Sequence, residues 1–238
     1  MGSQLRLGGL VIDVMFKDIK NVHLSVHPPT GRIHISAPAK MKLDTVRVFA
    51  ISKLGWIKRQ RNRFKYQERE SVREYCERES HYVWGKRYLL KIIEQDAPPA
   101  IELQHSHMVL KIRPNTSSGK RAAIVEEWYR GQIKAAAQPL IAKWELELGV
   151  SLKQLFIRRM KTKWGSCNPG ARAIRLNTEL ARKPRKCLEY IVVHELMHLI
   201  EPTHNDRFVN YMDRVMPQWR LIRDELNREP LAHEAWTY

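Results

Sequence analysis

Three side chains in one short stretch have the types and spacing for metal chemistry. His194, Glu195 and His198 form the pattern H-E-x-x-H within Val193-His194-Glu195-Leu196-Met197-His198-Leu199-Ile200. On a helix, positions four apart lie about 40° from each other, so the two imidazoles share a face, with Glu195 about 60° beyond His198. From Cys187 to Ile200 the other residues are almost all apolar, and a helix that is apolar nearly all round is a buried one. Burying a carboxylate and two imidazoles is costly unless something satisfies them. A metal ion held by both imidazoles would do so, and would leave Glu195 a water to act on. A chance motif on a solvated helix is the bland alternative, and the apolar neighbours argue against it.

A third imidazole follows at a usable distance. Pro202 ends the helix near Ile200, and Asn205 can cap a new helix through Phe208, Val209 and Met212. The turn Glu201-Pro202-Thr203 is expected to swing His204 back over the ion. Two histidines on one helix and one beyond it leave a fourth position open, the arrangement of a catalytic zinc site. The expected ligands of Zn2+ are therefore His194, His198 and His204, and the expected general base is Glu195. Glu201 and Glu225 are the local fallbacks should His204 point away.

The elements that must position these residues follow from periodicity. Residues 4–37 alternate apolar and polar, as at Leu10, Ile12, Val14 and Phe16, and read as a β-meander. From Leu43 to Tyr75 the pattern is helical, with Val46, Val48, Phe49, Ile51, Leu54, Trp56, Ile57 and Phe64 on core-facing positions and a basic, solvated run from Lys58 to Lys65. Strand alternation returns over Tyr82–Trp84, Arg87–Ile93, Ile101–Leu103 and Met108–Ile112. The segment Pro114–Gly119, rich in turn formers, is the expected domain boundary. It divides a β-rich N-terminal domain with a long helix, 1–115, from a helical catalytic domain, 120–238.

That second part opens with a helix from Lys120 to Leu148, with Ile124, Trp128, Ile133, Leu140, Ile141 and Trp144 on its stripe and Gly149 ending it. Three short strands, Leu155–Arg159, Trp164–Cys167 and Ala173–Leu176, are expected to form a small antiparallel sheet before the motif helix. Helices Asn205–Met216 and Pro217–Asn227 close the chain. No internal repeat is visible. The fold class is α+β.

At 238 residues the chain is long enough for a good core, and its 43% hydrophobic content suits a globular protein. No apolar run approaches the roughly 20 residues that span a bilayer, and no secretion signal opens the chain, so no membrane partner is expected and the cytoplasm is the default. Cys76, Cys167 and Cys187 include no C-x-x-C pair, so neither a disulfide framework nor a thiolate zinc site is indicated. The formal charge of +17 is spread along the whole chain. A surface of that kind attracts nucleic acid without regard to sequence.

The second half resembles the YgjP-like metal-dependent hydrolases, relatives of the zinc metallopeptidases and of the SprT-like proteases. The resemblance rests on Arg158-Arg159-Met160-Lys161-Thr162-Lys163-Trp164-Gly165-Ser166-Cys167, on Ile174-Arg175-Leu176-Asn177, on Tyr190 through Leu199, and on His204 with Phe208. It implies a zincin-like metallopeptidase domain. Metzincins share the spacing to the third histidine but have a glycine where this chain has Glu201, so that group is set aside.

Residues and resemblance together predict a zinc-dependent hydrolase that cleaves a peptide or protein substrate. His194, His198 and His204 hold the ion, and Glu195 takes a proton from water and gives it to the leaving amine. Trp164-Gly165-Ser166-Cys167 reads as the strand flooring the cleft. Two alternatives remain open: a basic nucleic-acid-binding protein with a structural or degenerate metal site, and an interaction module in which the first domain acts.

Overall fold

The computed structural model describes residues 2–27, 31–66, 73–160 and 163–228, with backbone alone for 2, 63–66 and 228. It is α+β, with two compact units, 1–70 and 71–232.

The first unit is a sheet covered by two helices. Strands β1 (Gly2–Leu7), β2 (Leu10–Lys17), β3 (His23–His27) and β4 (Arg32–Pro38) lie in the order β1-β2-β4-β3. The β2–β4 pair is parallel, Ile12 opposite Ile33, so the sheet is not the expected meander. Alternation along a strand shows which face is buried but not which strand lies alongside, and the β3–β4 hairpin turns back so that β4 sits between β2 and β3. Leu10, Ile12, Val14, Ile33, Ile35 and Ala37 point inward to meet Val46, Ala50 and Ile57.

Those last residues come from α1 (Leu43–Ser52) and α2 (Leu54–Tyr66), which replace the single helix expected over 43–75. The break is at Lys53, φ −102° and ψ 4°, outside helical geometry. Val48, Ile51 and Trp56 are exposed where core positions were expected, because at about 100° per residue they lie off the face shared by the buried Val46, Ala50 and Ile57. The side chain of Phe64 and residues 67–72 lie outside the described residues, and 73–79 are not helical.

The second unit opens with the same topology. Strands β5 (Ser80–Val83), β6 (Lys86–Glu94), β7 (Ala100–Gln104) and β8 (His107–Ile112) lie in the order β5-β6-β8-β7, again with a parallel central pair. Both sheets begin with a hairpin whose two turn residues have positive φ, Gly8-Gly9 at 51° and 78° and Trp84-Gly85 at 52° and 82°. This is the turn geometry that matches strand twist. The chain thus contains a structural repeat of four strands leading into a helix, although its two copies share too few residue identities to show in the sequence.

The helix after the second sheet is α3 (Ser118–Leu148), capped by Ser117 and ended by Gly149 in the left-handed conformation. Its buried line is Val125, Tyr129, Ile133, Ala137, Ile141 and Trp144, while the expected Ile124, Trp128 and Leu140 lie at its margins. This line packs with Leu90, Met108, Leu110 and Ile112 of the second sheet in one core. The compact units accordingly divide between 70 and 71, not at the polar turn 114–119. That turn connects two elements of a single core.

Strands β9 (Gln154–Arg158), β10 (Gly165–Asn168) and β11 (Ala173–Asn177) form a sheet in the order β10-β11-β9. It is mixed and not wholly antiparallel, because β9 and β11 run parallel while β10 reverses through the Pro169-Gly170 turn. A 3-10 turn, Thr178–Arg182, leads to α4 (Arg185–Met197), then α5 (Asp206–Val215) and α6 (Trp219–Arg228). Among the described residues, no helix is long and apolar enough to cross a membrane.

Candidate metal centre

Helix α4 begins where Pro184 fixes the chain, without a side-chain cap. Cys187, Leu188, Val192, Val193, Leu196 and Met197 are buried against the α3 core, and that packing orients the motif. The helix stops at Met197. His198 follows as its C-cap, and its Nδ1 lies 3.0 Å from the carbonyl oxygen of Glu201, to which it donates. That hydrogen bond leaves Nε2 of His198 as the nitrogen that could hold a metal ion.

The turn at Pro202 then carries the chain back, as expected. Asn205 caps α5, its Oδ1 accepting from the Phe208 amide at 3.0 Å. His204 stands just before the cap, with Nε2 2.9 Å from Nε2 of His194. Potential ligand atoms of His194, His198 and His204 lie within 4.8 Å of one another, so the three could hold one ion. Phe208, 1% exposed, packs behind all three rings at centroid distances of 5.1, 4.9 and 4.8 Å. Neither glutamate fallback joins the cluster: Glu201 accepts from Thr203, and Glu225 pairs with Lys186 at 2.6 Å.

The donor set fits a dication. Burial, with the neighbouring imidazoles, pushes His194 down to about 3, and burial also lowers His204, so both present neutral nitrogens as metal ligands must. Three neutral imidazoles are a usual zinc or other transition-metal set. Nδ1 of His194 is buried without a hydrogen-bond partner, while its ring packs edge-on against Tyr190 at 5.8 Å.

Glu195 is 5% exposed and points toward β10. A Cβ at Gly165 would fall 2.5 Å from its Oε1, so only glycine leaves the carboxylate its place. Burial pushes Glu195 up to about 8, against the charge of Lys163, which holds it down. Cys167, also on β10, is pushed up to about 11 by burial and by Glu195, which keeps it a thiol. The loop before β10 is held by Asn177, whose Nδ2 donates to the carbonyls of Met160 and Lys163 at 2.7 and 2.8 Å. Asn177 also caps the 3-10 turn after its own strand, its Oδ1 accepting from the Glu179 amide at 3.1 Å, while Lys161 lies outside the described residues. Arg159 is drawn to Glu179, 3.9 Å away.

These residues face a cleft of about 490 Å³. One wall is Lys163, Trp164 and β10, and the floor is α4 from Tyr190 to His198. The other wall includes Arg223, Leu226 and Asn227 of α6. Sequence reasoning placed Gly165 on the strand expected to floor the cleft, which forms a wall of it, but did not see that Gly165 makes room for Glu195, and it gave no cleft role to Tyr190 or Arg223. Glycine and arginine carry no signal without a partner, and Tyr190 passed for a core residue on an apolar helix.

Three imidazoles converging beside a buried carboxylate, on a helix facing a short edge strand, define a site of the metallopeptidase class. The chain belongs to the YgjP-like family, matching its description "YgjP-like, metallopeptidase domain" over residues 20–229. Solved structures similar to part of the chain include the metallopeptidase zymogen of Methanocaldococcus jannaschii jannalysin. It is 21% identical, over 37% of this chain and 85% of that one, with a TM-score of 0.34. The metallopeptidase zymogen of Pyrococcus abyssi abylysin is 23% identical, over 37% and 90%, with a TM-score of 0.35. Likeness of that degree decides nothing about function. A comparison with curated proteins finds no match.

Proposed function

We propose that this chain is a zinc-dependent peptidase in which His194, His198 and His204 hold the ion and Glu195 is the general base. One observation carries the reading: the three imidazoles converge at a cleft whose wall of β10 leaves room for the carboxylate of Glu195 only because residue 165 is glycine. Zinc bound there would lower the pKa of water to about 7 and polarise a carbonyl. The residues supply the remainder. Glu195, one position after the first ligand, takes a proton from the attacking water and returns it to the leaving amine. Burial raises the carboxyl to about 8, and the charge of a bound dication would lower it again, leaving the ionised form that a base needs. Strand β10 is at a sheet edge, where an extended substrate can add as a further strand, backbone to backbone. On this reading the protein works in the cytoplasm, where three cysteines without a disulfide are ordinary.

The variant Glu195→Gln keeps the size and most of the hydrogen bonding of the side chain and removes the base. Peptide hydrolysis should fall by at least about two orders of magnitude. Zinc content should stay at the parental level. Parental rates in the variant would remove Glu195 from the chemistry.

A second reading, sequence-independent binding to nucleic acid, is favoured by the first unit. Residues 1–70 carry 14 Lys and Arg against 5 Asp and Glu, and Trp56 is 37% exposed near the exposed Lys58 and Arg59. A cationic helix that also exposes an indole suits phosphates and stacked bases. Affinity for a single-stranded oligonucleotide should then fall steeply between 50 and about 200 mM salt. A flat salt dependence would contradict it.

A further inference from the structure

The cleft extends from the imidazoles along α4 toward Tyr190 and Ile191, and α6 closes it there. Arg223 and Asn227 are four apart on α6, so they share a face, and both line the cleft beside the buried Leu226. The guanidinium of Arg223 lies 5.0 Å from the Trp219 ring centre, and Trp219 stacks on Tyr190 with centroids 6.3 Å apart. The arginine is thereby anchored, through two aromatic rings, to the helix that carries the motif.

Apart from the buried Glu195, the charged side chains among the described lining residues, Lys163 and Arg223, are cationic. Lys163, exposed, stands on the opposite wall, and among the described lining residues Glu195 is the one carboxylate, itself buried. The partner of Arg223 is its neighbour Asp224: Nε and Nη2 both donate to Oδ1, at 3.2 Å each. An exposed pair of adjacent residues contributes little net stability, and a guanidinium has five N–H donors. Donors therefore remain for a second carboxylate, and the fork of an arginine fits one better than any other side chain does.

Building on the peptidase reading, we propose that Arg223 selects substrates that carry a carboxylate next to the scissile bond, from an acidic side chain or from the chain end. The carboxylate sits against the guanidinium on the α6 wall, with Asn227 alongside. The Lys163 charge adds long-range attraction from across the cleft.

Binding and hydrolysis are measured separately, on the zinc-loaded full chain. Fluorescence anisotropy with the Glu195→Gln variant compares peptides differing only by Glu for Gln, scanned through the sequence, and peptides differing only by a free or amidated C-terminus. The acid should bind about tenfold tighter than its amide in one of these series, and that series identifies the source of the carboxylate. Adding Arg223→Gln should bring the ratio within about twofold, and Arg223→Glu should shift preference to a Lys peptide, an inversion that loss of packing on Trp219 would not produce. Arg223→Lys, which keeps the charge without the fork, should fall between. An equal affinity for acid and amide in the parent, or a preference surviving Arg223→Gln, overturns the assignment. Peptides bound with the acid preference yet never cleaved by the unmodified enzyme would sink the peptidase reading and leave the role of Arg223 standing. Cleavage indifferent to the carboxylate would do the reverse.

Discussion

Replacing Gly165 with alanine tests whether the strand wall sets the position of the proposed base. The added Cβ would lie 2.5 Å from Oε1 of Glu195, 2.8 Å from its Cγ and 2.9 Å from its Cδ. Non-bonded heavy atoms settle at about 3.5–4.0 Å, so the carboxylate must retreat by roughly 1 Å. It has little room to do so, being 5% exposed on a helix packed into the core. The strand cannot easily yield instead, because Gly165 pairs with the buried Leu176. Overpacking of this kind costs about 1–3 kcal/mol, which for a unit of this size lowers the melting temperature by about 3–9 °C. Displacing a reacting group by about 1 Å can cost about 100-fold in rate. The expectation is a kcat reduced by about 10- to 100-fold, KM near the parental value, and unchanged metal content, since the three atoms nearest the added methyl all belong to Glu195. The assay is steady-state peptide hydrolysis, with elemental analysis and a thermal melt on the same preparation. Parental kcat and melting temperature would show that Glu195 is not held against Gly165. Loss of metal together with activity would move the fault to the ligands and refute the separation between them and the base.

Three further outcomes are expected. Folded, zinc-replete protein should contain one zinc per chain, lost in His194→Ala or His198→Ala and weakened in His204→Ala. Metal-free protein under those conditions would defeat the proposed centre. Asn177→Ala removes the acceptor of the Met160 and Glu179 amides and the donor to two carbonyls, all around a buried position. It should cost about 2 kcal/mol or more in a denaturant titration, with a result under about 0.5 showing that the loop before β10 holds itself. His81 is fully buried, and burial, with the charges of Arg73 and Arg182, pushes it down to about 3 although Glu79 Oε1 lies 3.0 Å away. The folded state thus binds the proton more weakly than the unfolded chain, whose histidine titrates near 6.5. Its contribution is complete above that pH and is lost as the pH falls toward 3. Between pH 7 and 5 the parent should lose up to about 2 kcal/mol more than His81→Gln, and equal losses would mean that His81 is charged in the fold.

The site was more legible in the sequence than the architecture around it, and the reason lies in the distance over which each signal acts. His194, Glu195, His198 and His204 occupy eleven consecutive positions. Helical spacing, the stop at Pro202 and the cap at Asn205 are all local rules, so the convergence of three imidazoles followed from residues close together in the chain. The parallel pairing of β2 with β4 and of β6 with β8 obeys no such rule. Ile12 and Ile33 alternate in the same way whichever strand lies beside them, and only the completed sheet shows the partner. The boundary failed for a related reason. Pro114–Gly119 has the composition of a linker, but Leu110 and Ile112 before it and Val125 and Tyr129 after it are buried in one core, a fact about contacts that composition does not carry. Val48, Ile51 and Trp56 were assigned inward because the apolar residues of this segment ring the helix, and only the contacts show that Val46, Ala50 and Ile57 mark its buried face. Gly165 and Arg223 are the most instructive cases. Gly165 matters because a carboxylate thirty residues later needs the volume of its missing methyl, and Arg223 because α6 turns it toward that same carboxylate's cleft. Neither residue has a sequence signature, since the property of each that counts is the space it leaves or the direction it faces. A short stretch can therefore point to a candidate metal centre, whereas the residues that place Glu195 and, on the proposed reading, choose a substrate emerge only once the fold has brought three separate elements, β10, α4 and α6, around one cleft.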